Sequence, residues 1–173
     1  MIDKNNIYFV SKSEIDKVLN HKLNKFDKAK LLSLICRLNT LSMVKLAGSG
    51  HLGTSMSAMD LMIWIKFFLQ KKKKLNDPNR DIFFSSKGHD APALYSVLYA
   101  LGIISLKKIL KLRRLDGLEG HPDVATSGVE ANTGSLGMGI SKAKGMVWAK
   151  TYQKKKGNVI VLTGDGELQE GQI

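Results

Sequence analysis

Three of the four histidines in this chain directly follow a glycine: Ser49-Gly50-His51, Lys87-Gly88-His89 and Glu119-Gly120-His121. Histidine exchanges protons near neutral pH and hydrogen-bonds through two ring nitrogens, so such residues suit phosphate contacts, polar substrate oxygens and proton shuttling. A single loop histidine is usually inert; three Gly-His pairs at the ends of expected elements are placed to serve one pocket. Metal ligation by the trio finds no support, because neither an HExxH helix nor a close histidine pair is present. His21 lies in a polar segment and carries no signal. A fourth element is Gly164-Asp165-Gly166, which directly follows the β-branched run Val159–Thr163. Ligands in open parallel sheets sit beyond the carboxyl ends of strands. An Asp there can reach a hard cation, while flanking glycines let backbone N–H groups approach phosphate oxygens. The fifth is Thr133-Gly-Ser-Leu-Gly-Met-Gly139, whose glycines allow a flat ligand to lie against backbone at the start of a helix. By contrast, Gly48-Ser-Gly-His-Leu-Gly53 matches GxGxxG only in letters. A helix precedes it where a dinucleotide site needs a strand, and Lys71–Lys74 occupy the window where an acidic residue belongs.

The elements that must hold these residues are legible from periodicity. Residues 1–25 are polar and lysine-rich, an extension or short capping helix. Phe26–Ala47 carries Leu31, Leu34, Ile35, Leu38 and Leu41 at helical spacing, which predicts an amphipathic helix with that stripe inward and Gly48 as its stop. A helix apolar almost all round, and hence buried, is expected over 58–71. Asp81–Ser85 reads as a short strand, Ala91–Leu101 as a helix ended by Gly102, and Ser105 as the cap of a basic helix through Arg114. The irregular stretch that follows is long enough to be functional. A helix over 136–155 precedes Val159–Thr163, which reads as a fully buried central strand. Helices alternating with buried strands give an α/β fold: a doubly wound, mainly parallel sheet with helices on both faces, with no internal boundary over 26–173.

Composition narrows the function classes. The chain has 173 residues, 43% of them hydrophobic and 24% charged, as in an ordinary soluble domain. Its net charge of +12 invites a nucleic-acid reading. The basic residues are mostly Lys and spread along the chain, however, and the runs Lys71–Lys74 and Lys154–Lys156 fall at expected helix ends without interleaved aromatics. A solvated lysine-rich surface, with no nucleic-acid partner, is the expectation. The single cysteine, Cys36, excludes an internal disulfide and reads as a small core residue. The N-terminus has no secretory pattern, and the apolar run Ala58–Leu69 holds Asp60 and Lys66 and is short for a bilayer span, so a cytoplasmic protein without a membrane partner is expected.

SGHLG, SKGHDAPALY, EGHPD, TGSLGMGIS and GDGELQEGQ occur in this order from Phe26 to Ile173. Together they resemble the N-terminal, thiamine-diphosphate-binding domain of the transketolase family, above all its split form, in which separate chains carry the two halves. The resemblance implies roles. His51 and His121 are similar to the substrate-side histidines, His51 stabilising charge that develops in the transition state. His89 is similar to the histidine that touches the cofactor diphosphate. Gly134, Ser135 and Leu136 match the segment that cradles the aminopyrimidine. Asp165 resembles the ligand of magnesium or another divalent cation, Gly166 the diphosphate contact, and Glu170 the acid of a carboxylate network at the subunit interface. The implied reaction moves a two-carbon ketol unit from a ketose phosphate to an aldose, in carbohydrate metabolism of the pentose phosphate kind. It implies sugar phosphate substrates, a C-terminal pyrimidine-binding transketolase subunit or domain, and a dimer or heterotetramer. Leu52 stands where many members have Pro, and Met138 where a Gln is common. The family's motif closes with an Asn well past GDG, whereas this chain ends eight residues after Asp165, so the metal shell and neighbouring strands are expected to be incomplete in it. The alternatives are a deoxyxylulose phosphate synthase-like or other ketol-transferring enzyme, a non-catalytic remnant, and a basic binding module.

Overall fold

The computed structural model describes residues 7–71 and 73–173. Lys72, within the first lysine run, and the first six residues of the polar extension lie outside the described residues. The chain divides into two compact units: the residues up to Phe68 together with His89–Gly120, and Leu69–Gly88 together with His121–Ile173.

The first unit is helical. α1 (Lys12–Asn20) falls inside the polar extension and starts in a capping box: Ser11 accepts from the Glu14 N–H while the Glu14 carboxylate accepts from the Ser11 N–H. α2 (Lys25–Ala47) starts at Asn24, whose side chain accepts from the Asp27 N–H, and ends at Gly48 with φ +68°, the left-handed cap the sequence predicts.

Its buried face is not the expected one. Leu31, Leu34, Leu38 and Leu41 are 40–57% exposed, and the stripe Leu32, Ser33, Cys36, Asn39, Thr40, Met43 and Val44 is buried instead. The helix is apolar on two sides, and the buried side is the one whose polar groups find partners. Asn39 accepts from the Val10 N–H at 2.7 Å and donates to the Val10 carbonyl at 3.1 Å. Ser96 Oγ donates to the Cys36 carbonyl at 2.9 Å. Cys36 is the core residue expected, and burial pushes its thiol up to about 12.

α3 (Leu52–Trp64) begins six residues before the expected start at Ala58 and runs on through a π-helical turn, Ile65–Leu69. Only one of its sides is buried, by Ala58, Met59, Met62 and Ile63; Leu61 and Leu69 are exposed, contrary to the all-round burial expected. The continuous stretch of 18 residues, Leu52–Leu69, is long and apolar enough to cross a membrane by length and composition, which corrects the shorter span read from sequence. It is tied to α2 by polar contacts: Arg37 of α2 pairs with Asp60 at 2.7 Å and also donates to the Met56 carbonyl. α4 (Ala91–Ala100) is buried at every position, with Pro92 in its first turn. α5 (Leu106–Ile109) is a single turn that ends well short of Arg114; beyond it Arg113 takes φ +54°, outside the helical region.

The second unit rests on two parallel strands, β1 (Ile82–Ser85) and β2 (Val159–Leu162), with Ile82 opposite Val159 and Ser85 opposite Leu162. Parallel strands need a long crossover, which the chain between them supplies. Among the described residues the sheet has these two strands, and β2 is half-buried rather than the fully buried central strand expected. α6 (Met138–Tyr152) packs on β2 and starts after Leu136, inside the expected span. Asp81 ties the start of the sheet together. Its carboxylate accepts from the Asn158 N–H at 2.8 Å and the Lys71 N–H at 3.1 Å, and the Asn158 bond foremost holds its carboxyl below the usual range.

Candidate functional site

In the first unit, Gly48 and Gly50 turn the chain between α2 and α3. Gly50 adopts φ +149°, and a Cβ there would stand 2.8 Å from Val44 Cγ2, so only glycine fits. His51 then caps α3 with its backbone alone: its carbonyl accepts from Ser55 Oγ at 2.6 Å, and its imidazole makes no capping bond. The ring therefore stays available, and it is exposed. It meets His89 edge-on, with ring centroids 5.4 Å apart and planes at 64°. The fold thus brings together two histidines 38 positions apart in sequence. Arg113, which the sequence reading passes over, fastens the approach to His51. It donates to Ser49 Oγ at 2.6 Å, and its guanidinium runs so close to Gly120 that a Cβ there would lie 2.8 Å from Nε.

In the second unit the glycines do the positioning. Gly88, at φ +69°, leaves its Cα face against the Thr133–Gly134 backbone; an added Cβ would lie 2.5 Å from the Gly134 nitrogen. Gly134 is itself at φ +134° and lies under the His121 imidazole, whose Cδ2 would be 2.7 Å from a Cβ. The segment Gly134, Ser135, Leu136 is thereby held between the turn after β1 and the histidine of the third Gly-His pair. Thr133 Oγ1 beside it is buried without a hydrogen-bond partner, a polar atom a ligand could satisfy.

The irregular stretch is not loose. Arg80 grips Glu130 through two hydrogen bonds of 2.5 and 2.6 Å, and Asn132 Oδ1 accepts from the Val124 N–H at 2.8 Å.

Asp165 and Gly166 lie at the carboxyl end of β2, where the chain enters a short 3-10 turn, Gly166–Gln169. Both are exposed, and a Cβ on Gly166 would meet nothing within 4 Å, so the Cα side of the turn is open to approach. Asp165 is one hard oxygen donor; among the described residues no group of three or more His, Cys, Asp or Glu is placed to hold a metal ion. Glu170 is exposed, and its Cβ would lie 3.0 Å from a side chain on Gly137, so its stem lies beside the start of α6. Glu167 is a residue that sequence reasoning misses. It is 2% exposed and its carboxylate accepts from Ser86 Oγ, the Gly137 N–H at 2.9 Å and the Gly164 N–H at 3.1 Å. Two of its three partners lie 81 and 30 positions away, where local sequence gives no sign of them.

Residues 28–173 match the family model described as transketolase, thiamine diphosphate binding domain. Human transketolase is 36% identical over 141 residues, covering 79% of this chain and 23% of the human protein. One subunit of the apulose-4-phosphate transketolase of Phocaeicola vulgatus is 36% identical over 140 residues, covering 79% of this chain and 50% of that subunit. Among solved structures, transketolase from Campylobacter jejuni superposes with a TM-score of 0.75 at 33% identity, over 81% of this chain and 24% of that one. The chain thus spans about a quarter of the full-length relatives and half of the Phocaeicola subunit. The helices and the parallel β1–β2 pair accordingly fit an α/β thiamine-diphosphate-binding fold, and the match over residues 28–173 makes this chain a member of the transketolase family.

Proposed function

We propose that this chain supplies the diphosphate-binding half of a thiamine-diphosphate-dependent ketol transferase. In this reading a two-carbon unit passes from a ketose phosphate to an aldose, and a pyrimidine-binding transketolase subunit or domain completes the site within a dimer or heterotetramer. Family membership supports the cofactor class, and the Phocaeicola relative, named as one subunit of its enzyme, supports the need for a partner. The observation that carries the reading is the cradle at Gly134. Gly88 and Gly134 let two backbone segments meet closely there, the His121 imidazole lies against Gly134, and a buried threonine hydroxyl lacks a partner. Such a surface suits a flat, polar, phosphate-bearing ligand.

The cofactor, when bound, supplies the electron sink that lets the ketol unit be carried. The chain's own residues bind, orient and move protons. Gly134, Ser135 and Leu136 would hold the aminopyrimidine, and Gly166 and His89 the diphosphate. Asp165 would give one oxygen to magnesium or another divalent cation, the other donors coming from outside the residues described. His51 and His121 would face the sugar, exchanging protons with its hydroxyl oxygens and stabilising negative charge there. A cytoplasmic location belongs to the same proposal.

The test is thermal. Thiamine diphosphate with magnesium should raise the melting temperature of the protein assembled with its pyrimidine-binding partner, because a ligand that binds the native state alone stabilises it. Asp165→Ala should remove that rise. No rise in the wild type, with cofactor, metal and partner all present, refutes the cofactor assignment.

A further inference from the structure

The most deeply buried acid of the second unit takes part in none of the roles above. Glu167 sits one residue past Gly166, yet its side chain turns away from solvent and accepts three hydrogen bonds inside the unit. Oε1 receives both the Ser86 hydroxyl and the Gly137 N–H, and Oε2 receives the Gly164 N–H. Ser86 Oγ in turn accepts from the Gly139 N–H at 3.1 Å. One carboxylate therefore joins the turn after β1, the glycine-rich start of α6 and the turn after β2.

Close packing reinforces the joint. A Cβ on Gly139 would stand 2.0 Å from Ser86 Oγ, so the helix start and the serine cannot separate and repack around a larger residue. Gly137 sits at φ +79°, a conformation that costs glycine little and other residues more, and its N–H points at Glu167. Hydrogen bonds to a carboxylate are stronger than neutral ones, and removing it would leave buried donors unsatisfied.

We propose that Glu167 is a positioning residue: its carboxylate fixes the Gly164 turn and the Gly137–Gly139 helix start in the arrangement that receives the cofactor. The inference rests on the thiamine-diphosphate reading and deepens it, by assigning the shape of the cradle to a residue that itself touches no ligand. Glutamine is nearly isosteric but replaces one acceptor oxygen with a donor, so it cannot satisfy all three donors.

The test uses the full chain with its partner. Glu167→Gln should raise amide exchange at Gly137 and Gly164 by about tenfold or more while the β1–β2 ladder stays protected. In the same variant the Kd for thiamine diphosphate, measured calorimetrically with magnesium, should rise about tenfold at a temperature where the protein is fully folded. Ser86→Ala removes one link and should produce a smaller change in the same direction; it carries the test if Glu167→Gln does not fold. Unchanged affinity, with or without faster exchange, overturns the proposal and leaves Glu167 as a fold-stabilising tie only. A wild-type protein whose Gly137 and Gly164 amides are protected but which binds no thiamine diphosphate overturns the cofactor reading instead, so the two failures are distinct.

Discussion

The two units hold their site residues by different means. In the helical unit the work is done by apolar burial: of the largest fully buried side chains among the described residues, Phe83 alone lies in the strand-bearing unit, and the rest lie in the helical one. Its histidines, His51 and His89, project from the ends of packed elements. In the strand-bearing unit, glycines, a half-buried ion pair and a buried carboxylate position the chain. Apolar packing is non-directional and tolerates small shifts, whereas a hydrogen-bonded cradle has one geometry. Substitutions should therefore fail differently in the two units.

The largest expected effect is Arg80→Ala. The Arg80 and Glu130 side chains are 20% and 9% exposed, so removing the guanidinium leaves a largely covered carboxylate without its bidentate partner, a loss of about 3 kcal/mol. Denaturant titration should show the loss, and hydrogen exchange should place it in the stretch from His121 to Thr133. Protection unchanged there would mean that the irregular stretch does not depend on its ion pair.

Next, Leu32→Ala in the helical unit should cost about 3 kcal/mol by opening a cavity, while Leu38→Ala, on the exposed stripe, should cost about 0.5 kcal/mol or less. Reversed magnitudes would restore the face that periodicity favours.

The histidines sharpen the comparison in a different way, since His51 and His89 touch yet are assigned different roles. With partner and substrates present, His51→Ala and His121→Ala should lower turnover by about a hundredfold, roughly 2.7 kcal/mol, with cofactor affinity nearly kept. His89→Ala should mainly raise the cofactor Kd. Equal losses of cofactor affinity in all three would remove the division of labour.

The smallest effects are on pH dependence. The Cys36 thiol is raised from 9.0 to about 12 in the folded chain, so its contribution is fully present below pH 9 and declines from there to pH 12 as the unfolded thiol ionises. Asp81 acts at the other end: its pKa is lowered, so its stabilisation is present above the ordinary carboxylate range and is lost as pH falls through the folded value. Alkylation of native Cys36 at pH 8 should proceed only as fast as the protein opens.

The motif residues and the order of the main elements were legible in the sequence. Gly48 ends α2 as expected, the runs Asp81–Ser85 and Val159–Thr163 hold the two parallel strands, and Ala91–Leu101 holds α4. The β-branched run leading into Gly164-Asp165-Gly166 determined a strand with an acid at its carboxyl end, because local propensity and turn chemistry agree there. Tertiary structure alone decided the rest. α2 is apolar on two sides, and helical spacing cannot choose between two apolar stripes; the choice fell to Asn39 and Cys36, whose polar groups meet partners on other segments. Glu167 reads in sequence as one more acid in a polar turn. Only the approach of Ser86 and Gly137, 81 and 30 positions away, makes it the buried centre of the cradle, since a carboxylate is stable inside a protein only where donors converge on it.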